Sequence, residues 1–390
     1  MRHLHRREEW AKIPILDKDV LRNMSDREFY EDFCIAPEAD DSIAEYWRSG
    51  GSTGRPLFYP RTHKDMTAAL RSFSRVFACA GVELPARVHC SFPLGIHPVG
   101  QVMARSAERL GMGVLWAGAG TTTPSMLQLE LMQRLQPDVW TGMSSYGLHL
   151  ANLADAQGHD LASGPVKYVM CSAEPLSAAK REKLERMWGA RVRDNFGMTE
   201  AGMMGAEDGD CDGFRLWTDM FHVEVVDPVT HAPLPDGEPG ALVVTALQTN
   251  HCTPFLRWLS GDIVTLRHGV AGEGAFSIFP VLKHAHRTAG FFKVRGVNLN
   301  HGEFEDFVFS DPSVNDFKCE AVSENDQDAL RVCIEVKRGV DAVATAQSLA
   351  SRVKQVFELT PDVVVLETGT LAREFEASVK APRMVDRRGS

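Results

Sequence analysis

Residues 166–200 read VKYVMCSAEPLSAAKREKLERMWGARVRDNFGMTE, and this stretch decides the fold. The apolar run at 166–172 predicts a buried strand. Ser177 is suited to cap a helix that continues to Trp188, and Gly189 ends that helix before a second strand at 190–196. A strand, a helix and a strand in succession indicate parallel strands joined by a right-handed crossover.

The preceding residues continue this alternation. The spacing of leucines predicts a helix at 125–136 that stops at Pro137, followed by a short strand at 138–142 and a helix at 145–157. Ligands of such sheets bind beyond the carboxyl ends of the strands. The segments 143–146, 172–175 and 195–200 are therefore expected to line one pocket.

The pattern changes twice after residue 220. Alternating apolar residues predict strands at 221–227, 240–247 and 262–268, as in an antiparallel meander. After residue 287, the segment FFKVRGVNL at 291–299 is followed by an expected helix from Gly302, strands at 316–323 and 330–337, a helix at 341–357 and a strand at 362–367. The predicted fold is α/β: a large N-terminal domain, 1–287, with a parallel α/β sheet plus an antiparallel β meander, followed by a small α+β C-terminal domain, 288–390.

The bulk properties exclude several classes of protein. The 390 residues are 44% hydrophobic and 24% charged, as in a globular protein, and the net charge of −10 argues against binding a nucleic acid or an anionic membrane. The charged first ten residues and the lack of a long apolar run predict a cytoplasmic location. The eight cysteines form no CxxC pair and are expected to be buried thiols without disulfides.

Three short segments have residue types suited to a nucleotide. The sequence RSGGSTGRP at 48–56 offers close-approaching amides and hydroxyls for phosphates, although it lacks the GK[ST] ending of a Walker loop. NFGMTE at 195–200 offers a hydroxyl and a carboxylate, and SGD at 260–262 offers a carboxylate in a turn. Each segment alone is more typical of an ordinary turn.

Their order along the chain is more specific. Together with HRTAGFFKVRGVNLNHGEFE at 286–305 and VKAPRMVD at 379–386, it resembles the adenylate-forming acyl-CoA ligase superfamily over nearly the whole chain. AERLG at 107–111, MSSY at 143–146 and SAEP at 172–175 are most similar to phenylacetate-CoA ligases. The resemblance implies that ATP and Mg²⁺ activate a small carboxylic acid as an acyl-AMP, which is then passed to coenzyme A.

The resemblance also implies roles for individual residues. The catalytic residues would be Lys380, Thr199 and Glu200, and Glu200 would bind Mg²⁺. Phosphates and nucleoside would be bound by Ser49, Ser52, Thr53, Gly54, Glu174, Asn195, Phe196, Gly197, Asp262 and Arg287. The acyl pocket would include Phe92, His97, Tyr146 and Ala173, a set that favours an aromatic or other compact acid.

The departures from the family pattern leave alternatives open. Ala289 and Gly290 replace the paired acids of the hinge, which puts the thioester step in question. The activated acid could instead go to an amine, a carrier protein or a small nucleophile such as nitrite, and a nucleotide-binding regulator is the non-enzymatic alternative. Cys211, Cys252, His284 and His286 could meet to hold zinc, although their spacing is not that of a recognised finger. A homodimer is a further expectation from the family.

Overall fold

The computed structural model describes residues 7–48, 57–287, 291–295, 297–324, 327–378 and 382–388. In these ranges the helices are α1 (Arg7–Trp10), α2 (Lys18–Arg22), α3 (His63–Cys79), α4 (Pro98–Arg109), α5 (Ser125–Leu135), α6 (Ser144–Ala156), α7 (Ala178–Trp188), α8 (His301–Phe309), α9 (Ala342–Phe357) and α10 (Ala372–Ala377). A π-helical turn spans Glu28–Phe33 and a 3₁₀ turn spans Ala275–Ile278.

The strands of the same ranges follow in chain order. They are β1 (Ile43–Arg48), β2 (Phe58–Thr62), β3 (Arg87–Cys90), β4 (Gly113–Trp116), β5 (Val139–Gly142), β6 (Tyr168–Ser172), β7 (Arg191–Met198), β8 (Gly202–Ala206), β9 (Phe214–Leu216), β10 (Phe221–Val226), β11 (Gly240–Ala246), β12 (Trp258–Arg267), β13 (Val281–Arg287), β14 (Phe291–Val294), β15 (Val297–Asn300), β16 (Val314–Glu324), β17 (Gln327–Val336), β18 (Asp362–Leu366) and β19 (Met384–Asp386).

The chain divides into two compact units. Unit 1 consists of Met1–Val88, Leu94–Leu115 and Arg193–Thr288, and unit 2 consists of His89–Pro93, Trp116–Val192 and Ala289–Ser390. The domain boundary predicted at 287/288 separates two continuous segments, whereas each of these units consists of several segments. The boundary therefore stays a prediction.

Unit 1 contains the antiparallel part of the fold. Its strands lie in the order β10-β11-β12-β13-β9-β8-β7, and the neighbouring pairs are antiparallel wherever their register is defined. The meander predicted from residue 221 onward is therefore confirmed. Strand β2 leads directly into α3, where Thr62 and Asp65 form a capping box.

Unit 2 contains the parallel part and the C-terminal elements. Strands β5 and β6 are parallel, as predicted, and α6 connects them. Ser177 caps α7 by accepting a hydrogen bond from the Lys180 amide, and Gly189 has φ 60° at its end, so both predicted boundaries of this helix are confirmed. The C-terminal sheet has the order β18-β17-β16-β19 and packs with α8 and α9, which confirms the small α+β arrangement.

Residues 291–295 and 297–300 contain a hairpin. Strands β14 and β15 pair antiparallel, with Val294 opposite Val297. Arg295 has φ 49°, a left-handed conformation that a continuous strand cannot contain. The reversal therefore follows from the backbone at that turn.

Two properties of the described chain bear on the earlier expectations. No disulfide joins the eight cysteines, of which five are buried and three half-buried. Within the described residues no helix is both long enough and apolar enough to span a membrane.

Candidate functional site

A buried carboxylate lies just after β7 in unit 1. Glu200 is only 7% exposed, and the Tyr59 hydroxyl donates a hydrogen bond to its Oε1 over 3.2 Å. The Lys18 ammonium lies 3.9 Å from the same oxygen. The carboxylate charge is therefore held by a donor and a cation rather than by packing alone.

The backbone that presents Glu200 is held by a buried arginine. Arg61 is 1% exposed, and its Nη2 donates to the carbonyl oxygens of Thr199 at 2.7 Å and Glu200 at 3.0 Å. Burial lowers the pKa of Arg61 to about 10, which leaves it charged at neutral pH. The Asn250 amide adds a bond of 2.8 Å to the Glu200 carbonyl. No motif in the sequence indicates that Arg61 and Asn250 support this loop.

The loop 249–253 is tied to the start of α3 as well. Arg61 Nη1 lies 3.4 Å from Thr253 Oγ1, and the capping residue Asp65 accepts hydrogen bonds from the His251 amide at 3.1 Å and ring at 2.6 Å. These side chains thus connect the β2–α3 junction to the loop 249–253, from which Asn250 bonds to the Glu200 carbonyl.

Phe196 and Gly197 lie in β7, shortly before Thr199 and Glu200. A Cβ on Gly197 would lie 2.6 Å from the Gly202 carbonyl oxygen, so the close pairing of β7 with β8 requires glycine there. The half-buried Phe196 ring stacks on Phe214 at 5.5 Å and lies 5.8 Å from the His284 ring. Asn195, immediately before it, is buried.

Asp262 is another buried acid of unit 1. It is 3% exposed, and His284 Nε2 lies 3.1 Å from its Oδ1. The register of β12 and β13 places His284 opposite Val264 and Arg287 opposite Asp262. An aromatic ring, an imidazole and a carboxylate are therefore contiguous, which suits a base and a ribose with two hydroxyls.

In unit 2 the predicted turn at 172–175 meets the start of α6. Ala173 has φ 72°, a strained conformation for a residue other than glycine. Glu174 accepts from Ser144 Oγ at 2.7 Å, from Ser145 Oγ at 2.9 Å and from the Ser145 amide. Burial opposes its ionisation, but Lys180 and these donors hold the pKa of Glu174 below its usual value. Two of the three segments expected at one sheet edge are thus in contact.

The predicted acyl-pocket residues differ in exposure. Phe92 and Tyr146 are fully buried in unit 2, and burial raises the pKa of Tyr146 above its usual value. Ala173 is exposed in the same unit. His97 belongs to unit 1, where Arg48 Nη1 lies 3.4 Å from its Nε2.

The candidate zinc ligands have other partners. Cys211 Sγ lies 3.4 Å from Asp208 Oδ1, His284 contacts Asp262, and burial raises the pKa of both Cys211 and Cys252. The described side chains contain no group of three or more His, Cys, Asp or Glu that could hold a metal. The side chain of His286 lies outside that set, so the four-residue zinc site is untested.

Several predicted residues cannot be placed. Those outside the described residues are Ser49, Ser52, Thr53, Gly54 and Lys380, together with Ala289 and Gly290. For Arg287 only the backbone in β13 is described.

Two family models and several curated proteins are similar to this chain. The model of the family described as AMP-binding enzyme matches residues 5–249, and that of the AMP-binding enzyme C-terminal domain matches 296–388. The chain is 27% identical over 392 residues to phenylacetate-coenzyme A ligase of Pseudomonas putida, covering 98% of this chain and 85% of that protein. It is 26% identical over 389 residues to the enzyme of that name from Escherichia coli (strain K12), covering 97% and 85%.

Solved structures share the fold. 2-Hydroxyisobutyryl-CoA ligase in the postadenylation state, in complex with R3-HIB-AMP, matches with a TM-score of 0.82 at 22% identity, covering 96% of this chain and 80% of that one. The same ligase in the thioesterification state, with 2-HIB-AMP and CoA, matches with a TM-score of 0.65 at 24% identity, covering 97% and 81%. The predicted α/β fold class is confirmed.

Proposed function

Because this chain belongs to the AMP-binding enzyme family, we propose that it activates a carboxylic acid with ATP as an acyl-AMP, releases pyrophosphate and forms a thioester with coenzyme A. The observation that carries the proposal is that unit 1 contains two sets of residues. The first is the buried Glu200 carboxylate, on the loop that Arg61 holds, and the second is the His284 ring with its neighbours Phe196 and Asp262. The first set suits a metal-bound phosphate and the second a nucleoside.

The adenylation step joins two anions. A carboxylate oxygen attacks the α-phosphorus while pyrophosphate leaves, so the site must neutralise the charge that gathers there. Magnesium is usually bound through one or two carboxylates plus substrate phosphates, which a single buried Glu200 fits. Bound Mg²⁺ would stabilise the negative phosphate oxygens. Thr199 is assigned to the α-phosphate from the resemblance of FGMTE at 196–200 to the family motif, and Arg61 holds its backbone carbonyl.

The nucleoside assignment uses the contacts around His284. Phe196 would stack on adenine, and Asp262 would accept hydrogen bonds from the ribose hydroxyls while His284 fixes its orientation. Glu174, Asn195, Gly197 and Arg287 are retained from the sequence motifs as proposed nucleotide contacts. The phosphate loop, Ser49 to Gly54, and the catalytic Lys380 are retained from the sequence motifs.

The acid is proposed to be aromatic. Support comes from the buried aromatic residues Phe92 and Tyr146 in the predicted pocket, and from the activity named for the curated relatives. His97 and Ala173 remain proposed pocket residues. A compact aliphatic acid is the alternative outcome of a substrate panel.

The acceptor has a second candidate. Ala289 and Gly290 stand where the family pattern has paired hinge acids, which favours considering an amine, a carrier protein or nitrite in place of coenzyme A. A cytoplasmic homodimer remains a prediction from the sequence.

A pyrophosphate-release assay over a panel of carboxylic acids, with and without coenzyme A, tests the proposal. Release that requires both an acid and Mg²⁺ is expected, with an acyl-CoA product when the thiol is present. Glu200→Gln should weaken the Mg²⁺-dependent step, whereas Glu238→Gln, at an exposed turn position, should not. Formation of acyl-AMP without any thioester would indicate an acceptor other than coenzyme A. Absence of acid-dependent pyrophosphate release would favour the hypothesis of a nucleotide-binding regulator.

A further inference from the structure

Two side chains of unit 1 contact the same oxygen of the buried Glu200 carboxylate. The Tyr59 hydroxyl donates a hydrogen bond to Glu200 Oε1 over 3.2 Å, and the Lys18 ammonium lies 3.9 Å from that oxygen. Neither of these contacts involves Oε2. The two oxygens of the proposed metal ligand therefore have different surroundings.

Packing fixes the direction of the Tyr59 hydroxyl. Tyr59 is 1% exposed, and the pairing of β1 with β2 places it opposite Trp47. Its ring meets the Phe255 ring edge-on, with centroids 5.1 Å apart, and lies 6.1 Å from the Phe29 ring. Because a buried ring between two others cannot swing without displacing them, the hydroxyl stays directed at Glu200.

The main chain next to Lys18 is held on β12. The Leu16 amide donates to the Arg257 carbonyl over 2.9 Å, and the Leu16 carbonyl accepts from the Leu259 amide over 3.0 Å. The Lys18 side chain itself is 38% exposed. The fold thus brings a cation to the carboxylate while leaving the ammonium partly in water.

The availability of each carboxylate oxygen affects which divalent cation binds best. Ca²⁺ accepts many oxygen ligands in flexible geometry and often takes both oxygens of one carboxylate, whereas Mg²⁺ demands a near-ideal octahedron. The two oxygens of one carboxylate are too close together to fill octahedral positions, so Mg²⁺ favours a single oxygen. A hydrogen bond already made to Oε1 therefore disfavours Ca²⁺ more than Mg²⁺.

We propose that Tyr59 is a metal-specificity residue: by bonding to Oε1, its hydroxyl leaves Glu200 to bind a divalent cation through Oε2 alone, which favours Mg²⁺ over Ca²⁺. This inference rests on the proposed function, in which Glu200 binds the metal that accompanies ATP. Lys18 has a separate effect, because its charge repels both divalent cations to a similar degree. The hydroxyl thus sets the choice of metal, and the ammonium sets the affinity for either one.

Displacement of Mn²⁺ from the full-length protein with bound ATP tests the proposal. Mg²⁺ or Ca²⁺ is titrated in, and the released Mn²⁺ is followed by electron paramagnetic resonance. The Mn²⁺ that the wild type holds and Glu200→Gln loses defines the site. Tyr59→Phe should lower the dissociation constant for Ca²⁺ relative to that for Mg²⁺ by about 10-fold, the lower end of the effect of altering a side chain that holds a metal ligand.

Two further variants separate specificity from other effects. Tyr30→Phe is the matched control, because the Tyr30 hydroxyl donates to the Phe58 carbonyl, next to Tyr59 in the chain, over 3.0 Å; its ratio of dissociation constants should equal that of the wild type. Lys18→Met should tighten the binding of both cations by up to roughly 5-fold, the scale of a partly exposed ion pair, and leave their ratio unchanged. A general loss of stability would weaken both cations together and would not change the ratio.

The titrations use no acid substrate, so their result is independent of acid-dependent pyrophosphate release. An unchanged ratio in Tyr59→Phe, or an equal change in Tyr30→Phe, would overturn the role of Tyr59, as would a wild-type protein that holds no Glu200-dependent Mn²⁺. A shifted ratio in a protein that activates no acid would preserve this inference and reject the proposed function. Acid-dependent release with an unchanged ratio would do the reverse.

Discussion

Replacement of Arg61 by methionine tests whether the Thr199–Glu200 loop depends on a buried cation. Methionine fills much of the same space with a flexible apolar chain. The variant loses the two hydrogen bonds to the carbonyl oxygens of Thr199 and Glu200, and the contact of the guanidinium with the Trp47 ring at 4.8 Å. The Glu200 carbonyl keeps the bond from Asn250, whereas the Thr199 carbonyl loses this donor.

The magnitude follows from those contacts. A buried acceptor without a partner costs about 1–3 kcal/mol and a desolvated cation–π contact is worth about 0.5–2 kcal/mol, offset in part because a charge no longer has to be buried. We expect Arg61→Met to lower the free energy of unfolding by about 2–3 kcal/mol. Arg75→Met is the control, because the pair of Arg75 with Asp219 is partly exposed and should be worth at most about 1 kcal/mol.

Urea unfolding gives the stability, and acid-dependent pyrophosphate release gives the activity. At a temperature where circular dichroism shows the variant folded, release should still fall on the order of 10–100-fold, since the loop with Thr199 and Glu200 is no longer held in place. Wild-type release from a folded Arg61→Met protein would refute the claim that this arginine positions the loop. A stability loss no larger than that of Arg75→Met would refute the energetic argument.

Three further outcomes are expected. His284→Ala should raise the KM for ATP more than it lowers kcat, because it frees the Asp262 carboxylate without removing it; steady-state kinetics measures the split. Gly142→Ala should destabilise the fold by about 1–3 kcal/mol in urea unfolding, since a Cβ there would lie 2.5 Å from the Trp140 ring. Burial lowers the pKa of Lys183 to about 7. Between about pH 7 and 10 the unfolded chain therefore binds more protons than the folded chain, and the free energy of unfolding should rise with pH across that window. The variant Lys183→Met should lack this rise.

The parts of the fold that the sequence predicts are those governed by local rules. Helix α7 is an example, because a capping serine, a terminal glycine and the apolar strands on either side are all within about one helix length. The hairpin of β14 and β15 was not specified from the sequence, because the residue pattern at 291–299 does not show that Arg295 adopts a left-handed conformation. Periodicity reports which face is apolar and says little about where a backbone reverses.

The residues of the candidate site also fall into two groups, those that motifs could predict and those that they could not. Glu200 and Asp262 could be proposed from motifs because they are expected to contact the substrate, but Arg61 and Asn250 bind the backbone of Glu200 from 139 and 50 residues away in the chain. A lone Arg in a strand or an Asn in a loop has no local signal of such a contact. His284 shows the consequence: its residue type suggested a zinc ligand, and the pairing of β12 with β13 also brings its ring to Asp262. Strand register, which no short motif encodes, thus determines which carboxylate this imidazole contacts.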